Sequence, residues 1–134
     1  MPPEAGKGSE QVRVNTSGGN GMYIPEIGVE ASDGAFDVLV ERQRQRDEEG
    51  YGADHDDKHA NGELVAACVS YALVASLEGK HPDPTKVPSP GSWPWDESHW
   101  KPRDKRSNLV RALALGLAEL DRMDREEARA KAAA

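Results

Sequence analysis

From Leu64 to Leu77 the chain is a near-continuous apolar run of 14 residues with Ser70 and Ser76 inside it. A membrane span needs about 20 apolar residues, so this run is too short to cross a bilayer. Leu64, Ala67, Cys68, Tyr71 and Ala75 fall on one helical stripe, and Val65, Val69, Leu73 and Leu77 fall on another. The spacing predicts a helix from Gly62 to Glu78, stopped by Gly79. A helix that is apolar on both sides is central, with neighbours packed front and back. The rest of the chain has to be arranged around it.

Two further helices are expected. One runs from Asp33, as N-cap, to Glu49, with Gly50 ending it; Phe36, Leu39, Val40 and Gln43 keep the spacing of a buried face. The other runs from Asp104 to Glu127 and buries Leu109, Leu113, Leu117, Leu120 and Met123. Between them, residues 80–102 carry Pro82, Pro84, Pro88, Pro90, Pro94 and Pro102, which rule out a continuous helix or central strand. This loop also holds all three tryptophans. Residues 1–31 read as a flexible or extended N-terminal arm, with apolar patches at Val12/Val14 and at residues 22–29. Residues 32–127 form the helical domain, and 128–134 a frayed C-terminal tail. The expected fold is all-α, a three-helix core. The central helix has more apolar surface than two partners cover, so dimerisation into a four-helix core completes it.

Composition narrows the function. A net charge of −7 is unsuited to general nucleic-acid binding, which draws its affinity from Lys and Arg on phosphates. The single cysteine, Cys68, excludes a disulfide scaffold and points to a reducing compartment. With no signal-like N-terminus, the expected location is cytoplasmic.

Chemistry-bearing residues concentrate in three places. Residues 54–63 hold four carboxylates and two imidazoles beside the apolar helix. His55, His59 and Glu63 are spaced by four and share a face if a helix starts at Asp54. His55, Asp56, Asp57 and Glu63 form the candidate metal set, for Mg²⁺ or another divalent cation. A solvated helix cap is the competing reading. On the first helix Arg42 and Arg46 share a face and are candidate anion contacts; internal ion pairing is the alternative. Trp93, Trp95 and Trp100, with Arg106 nearby, can stack a base beside cations, or else seal the core. No catalytic nucleophile or triad is identifiable, and Cys68 sits mid-helix among apolar residues.

The stretch Val40-Glu41-Arg42-Gln43-Arg44-Gln45, then Glu49-Gly50-Tyr51, His55-Asp56-Asp57, Gly62-Glu63-Leu64, Ala66-Ala67-Cys68 and Tyr71-Ala72, resembles a family of small bacteriophage and prophage proteins. Trp93-Pro94-Trp95, Trp100-Lys101-Pro102, Leu109-Val110 and Arg122-Met123-Asp124-Arg125 continue the resemblance, over residues 38–125. It implies a phage or prophage origin and no particular activity. A looser likeness is to the all-helical nucleotide pyrophosphohydrolases of the MazG type, which hold magnesium with acids on adjacent helices of a dimer. That likeness implies metal-binding roles for Glu41, or Glu48 and Glu49, and Glu63, with Asp56 and Asp57 serving from a loop.

The expectation is therefore a phage-type accessory protein, a homo-oligomer, that binds or hydrolyses a phosphorylated small molecule, with a nucleotide as the leading class. The alternative is a non-catalytic interaction protein, a structural, assembly or anti-host-defence factor. It would dock on a phage or host protein through the N-terminal arm and the Trp loop. No membrane partner is expected. The location is the host cytoplasm, or the virion for a structural role.

Overall fold

The computed structural model describes residues 22–77 and 82–134, and the chain divides into two units between Val40 and Glu41. The Val12/Val14 patch lies outside the described residues, as do Gly79 and the start of the proline-rich loop.

In the first unit, β1 (Met22–Ile24) and β2 (Val29–Ala31) pair antiparallel, with Tyr23 opposite Glu30. The apolar patch at residues 22–29 supplies β1, the turn and the first residue of β2. Pro25 presets the turn, and Gly28 takes φ +66°, a left-handed conformation that costs glycine little. Its N–H donates to the Pro25 carbonyl at 3.3 Å. Next comes α1 (Asp33–Glu48). Ser32 caps it, its Oγ accepting from the Ala35 N–H at 3.3 Å, so the cap falls one residue before Asp33.

The buried face expected on α1 is not the one observed. Leu39 and Val40 are about half exposed and Gln43 is exposed, while the buried residues are Arg42 and Gln45. Period alone favoured the apolar set. What decides otherwise is that Arg42 finds a buried carboxylate to meet it.

The second unit contains α2 (Ala53–Asp57), α3 (Glu63–Ala75) and α4 (Lys105–Ala133). The short α2 lies where the sequence showed only an acidic run. It is separate from α3 because Gly62 sits at φ +90° immediately before Glu63. α3 and α4 are antiparallel neighbours. Tyr71 lies under Arg111, whose guanidinium carbon is 5.9 Å from the ring centroid. Cys68 meets Gly116 closely enough that a Cβ there would stand 3.6 Å from Sγ. Ala67, Ala112, Ala114 and Ala118, all almost fully buried, let elements approach. Leu64, Tyr71, Val74, Val87, Trp100 and Leu115 fill the core between them.

α4 corrects the sequence reading twice. Its buried residues are Asn108, Arg111, Ala112, Ala114, Leu115, Ala118 and Arg122. Leu109, Leu113, Leu120 and Met123, expected inside, are 44–57% exposed. The helix also continues through the predicted frayed tail to Ala133. Alanine is the strongest helix former, and the Lys131–Glu127 pair, four apart at 3.4 Å, supports the last turns. α3 is likewise one-sided: Val65, Val69, Leu73 and Leu77 are 39–48% exposed. Val65 lies one turn from Cys68, and Leu113 and Leu120 lie one turn from Gly116. The Cys68–Gly116 contact therefore places both exposed stripes on one side of the α3–α4 layer. No helix among the described residues is long and apolar enough to cross a membrane.

Residues 82–104 cross the opposite side of that layer. Two 3-10 turns, Pro84–Lys86 and Glu97–His99, are capped by Asp83 and Asp96, which accept from Thr85 N and Ser98 N at 3.0 and 2.9 Å. Trp100 stacks on Tyr71, ring centroids 4.6 Å apart, and its Nε1 donates to the Val87 carbonyl at 2.8 Å. Fully buried Asn108 fastens the end of the loop, accepting from Arg103 N at 2.6 Å and donating to Arg103 O at 2.8 Å.

Candidate functional site

Glu49 and Tyr51 after α1, His55 of α2, His59 after it and the Trp95–His99 segment line one cleft. Gly50, at φ +77°, ends α1, and Tyr51 N donates to the Gln45 carbonyl at 2.9 Å. This reversal brings Tyr51 over α2, where its ring stacks on His55 at 4.5 Å between centroids. His59 follows at 4.6 Å from His55. Trp95 closes the row, 5.8 Å from His55 and 5.2 Å from His59. The four-residue spacing from Tyr51 to His55 to His59 survives the end of α2 because the Lys58–Gly62 turn keeps the two imidazoles adjacent. Glu49, Asp96 and His99 complete the lining of a cleft of about 310 Å³.

Beneath the rings lies a buried ionic floor. The Asp56 carboxylate is fully buried, and its Oδ2 accepts from Arg42 Nη2 at 3.3 Å. Arg42 Nη1 also donates to the Tyr51 carbonyl at 3.2 Å. Burial, and then repulsion from Arg46, lower the Arg42 pKa from its ordinary value against the opposing pull of Asp56 and Asp121. Asp56 Oδ1 stands 2.8 Å from His55 Nδ1. An ionised carboxylate only accepts, so Nδ1–H donates, and in the neutral ring Nε2 is left as an acceptor. Arg42 and Asp56 thus fix both the orientation and the tautomer of His55.

A second, smaller cavity of about 20 Å³ shares Glu49, Tyr51, Trp95 and His99 with the cleft and adds Gln45 among its walls. Gln45 Oε1 and Trp95 Nε1 are both buried without a hydrogen-bond partner among the described residues. One is an acceptor and the other a donor, so a single polar group between them would satisfy both. Burial, with the nearby charge of Glu49 second, pushes the Tyr51 phenol up to about 12. Burial would raise the Glu49 carboxyl as well, but hydrogen bonds from Lys101 and Arg44 outweigh it and hold it below its usual value.

The residues singled out from the sequence scatter. Asp56 points inward to Arg42. Asp57 turns to α4 and accepts from Arg125 at 2.9 Å and Arg129 at 3.3 Å; the Arg125 bond is the main cause of its lowered pKa. Glu63 takes the Asn61 N–H at 2.8 Å and lies 3.8 Å from His59. The four expected metal ligands, His55, Asp56, Asp57 and Glu63, do not converge. Among the described residues no group of three or more His, Cys, Asp or Glu side chains is arranged to hold a metal ion. Glu41 and Glu49 are tied to Arg44 at 2.8 and 3.2 Å, with Glu48 at 3.4 Å, so the acids named by the pyrophosphohydrolase likeness form an ion-pair cluster around one guanidinium.

The expected anion contacts do not line the cleft either. Arg42 is buried in its pair, Arg46 lies 3.8 Å from Asp121, and Arg106 is an exposed residue of the first turn of α4. The tryptophans divide. Trp100 is core, and Trp93 packs edge-on against Tyr71 with its Nε1 donating to the Asp96 carbonyl at 3.1 Å. Trp95 alone of the three lines the cleft. Tyr51, Asp96 and His99 were not singled out from the sequence, and Glu49 was named only as an acid of the pyrophosphohydrolase likeness. Only Tyr51 carried a signal, its spacing of four from His55.

No family model, no curated protein and no solved structure matches the chain.

Proposed function

We propose that residues 41–134 form a binding module for a small planar molecule with hydrogen-bonding edges, of the nucleobase class, whether as a base, nucleoside or nucleotide. One observation carries this reading: the row Tyr51, His55, His59 and Trp95 borders an open cleft of about 310 Å³ and rests on a rigid buried ion pair. Ligand sites of this size are typically concave, ring-lined and furnished with a few fixed polar groups. Stacking a base on an aromatic side chain contributes about 1–3 kcal/mol, and every base has a π-face to offer. The imidazoles of His55, His59 and His99 supply edge contacts. Since Arg42 is committed to Asp56, affinity comes from the ring and not from a phosphate clamp. Of the carboxylates near the cleft, Asp56 and Glu49 are engaged by Arg42, Arg44 and Lys101 and Asp96 accepts from Ser98 N, and the reading is one of binding, not turnover.

Titration of nucleosides and their nucleotides, followed by tryptophan emission and calorimetry, tests it. A nucleoside is expected to bind about as well as its nucleotide, and Trp95→Ala to weaken both at least about tenfold. If no nucleoside perturbs emission at millimolar concentration, or if Trp95→Ala binds like the parent protein, the reading fails.

A further inference from the structure

The α3–α4 layer has two faces, and only one is covered by the loop, α2 and the Glu41–Glu48 part of α1. We infer that the other face is the contact surface of a homodimer, an inference that goes beyond ligand binding and does not depend on it. The two exposed stripes described above lie side by side along the Cys68–Gly116 contact. Each spans about 20 Å of helix at 1.5 Å per residue, so the patch is about as long as two adjacent helices are wide.

Its area selects the occupant. The exposed apolar side chains of the two stripes present on the order of 700 Å², near the amount each partner contributes to a standard protein interface and above what a monomer commonly leaves in one patch. The stripes carry no charged residue, so they offer nothing for an acidic or basic partner to read. A second copy supplies the same area and the same lack of charge. Two layers stacked face to face about a two-fold axis give four helices around one apolar core. The cleft, on the covered side of the layer, stays open in each copy.

The test is the mass of the full chain in solution by sedimentation equilibrium, near neutral pH. A protomer is 14.5 kDa, and the native protein is expected at twice that. Leu73→Glu and Leu113→Glu, at positions half exposed in the protomer, are expected to give protomer mass with unchanged helical far-UV signal. Leu113→Ala introduces no charge and favours helix, and it should raise the dimer Kd about tenfold or more, which reads the interface even if a charged variant folds poorly. Leu39→Glu, at an equally exposed position of α1, should leave the dimer intact. Protomer mass for the native protein overturns the inference. So does a dimer that survives Leu113→Ala unweakened, or one broken by Leu39→Glu instead.

Discussion

Replacing Arg42 with methionine should cost more stability than any other single change on α1. Methionine keeps most of the aliphatic stem and its packing, so what is lost is the guanidinium. That group meets the Asp56 carboxylate at 3.3 Å, with side-chain exposures of 4% for Arg42 and 0% for Asp56. Its second carboxylate neighbour, Asp121, lies 3.6 Å away, is 37% exposed and contributes little through solvent. Without Arg42 the Asp56 charge stays buried with His55 as its one side-chain partner, and the Tyr51 carbonyl loses a donor. Removing one member of a buried pair costs about 3–5 kcal/mol, because the surviving charge keeps its desolvation penalty. For a domain whose whole stability is about 5–15 kcal/mol, the variant becomes marginal. Arg42→Met combined with Asp56→Asn removes the stranded charge while leaving an acceptor for His55, and it should recover at least half of the loss. Urea unfolding followed by far-UV circular dichroism and tryptophan emission measures all four proteins of the cycle. A loss under about 1 kcal/mol for Arg42→Met would refute the buried-pair account, as would a double variant whose loss equals the sum of the two singles.

Two other outcomes follow from the same geometry. Trp100→Ala should lose about 3–5 kcal/mol in urea unfolding, as expected for a buried aromatic, and Trp95→Ala less than half as much, since Trp95 lines an open cleft; equal losses would make Trp95 a sealing residue. The folded-state pKa of Glu49 is depressed, so its pairing with Lys101 and Arg44 stabilises the protein above the ordinary carboxylate pKa, and that contribution disappears as pH falls through the lower folded value; Glu49→Gln should therefore be less stable than the parent protein at pH 7, with the difference shrinking as pH falls below the ordinary carboxylate range, as read from urea midpoints.

The three long helices, though not the short α2, were legible in the sequence alone. The period of Leu64–Leu77, the glycines at 50 and 62 and the proline content of residues 82–102 are local signals, and the helix boundaries they imply differ from the observed ones by one to three residues, apart from the added turns at the end of α4. The sequence also singled out His55, Asp56 and Trp95, which the structure brings together around the candidate cleft. Which face of each helix turns inward was settled by packing between elements distant in sequence. Leu113 and Arg111 are two residues apart on α4, and a rule based on hydrophobicity buries the leucine. The structure buries Arg111, over Tyr71 and beside Glu41, and leaves Leu113 half exposed. In the same way Arg42 displaces Leu39 and Val40 because Asp56, 14 residues further on, offers it a buried partner. A charge is buried only where an opposite charge and hydrogen bonds meet it. That pairing is a property of positions brought together by folding, which no local spacing encodes.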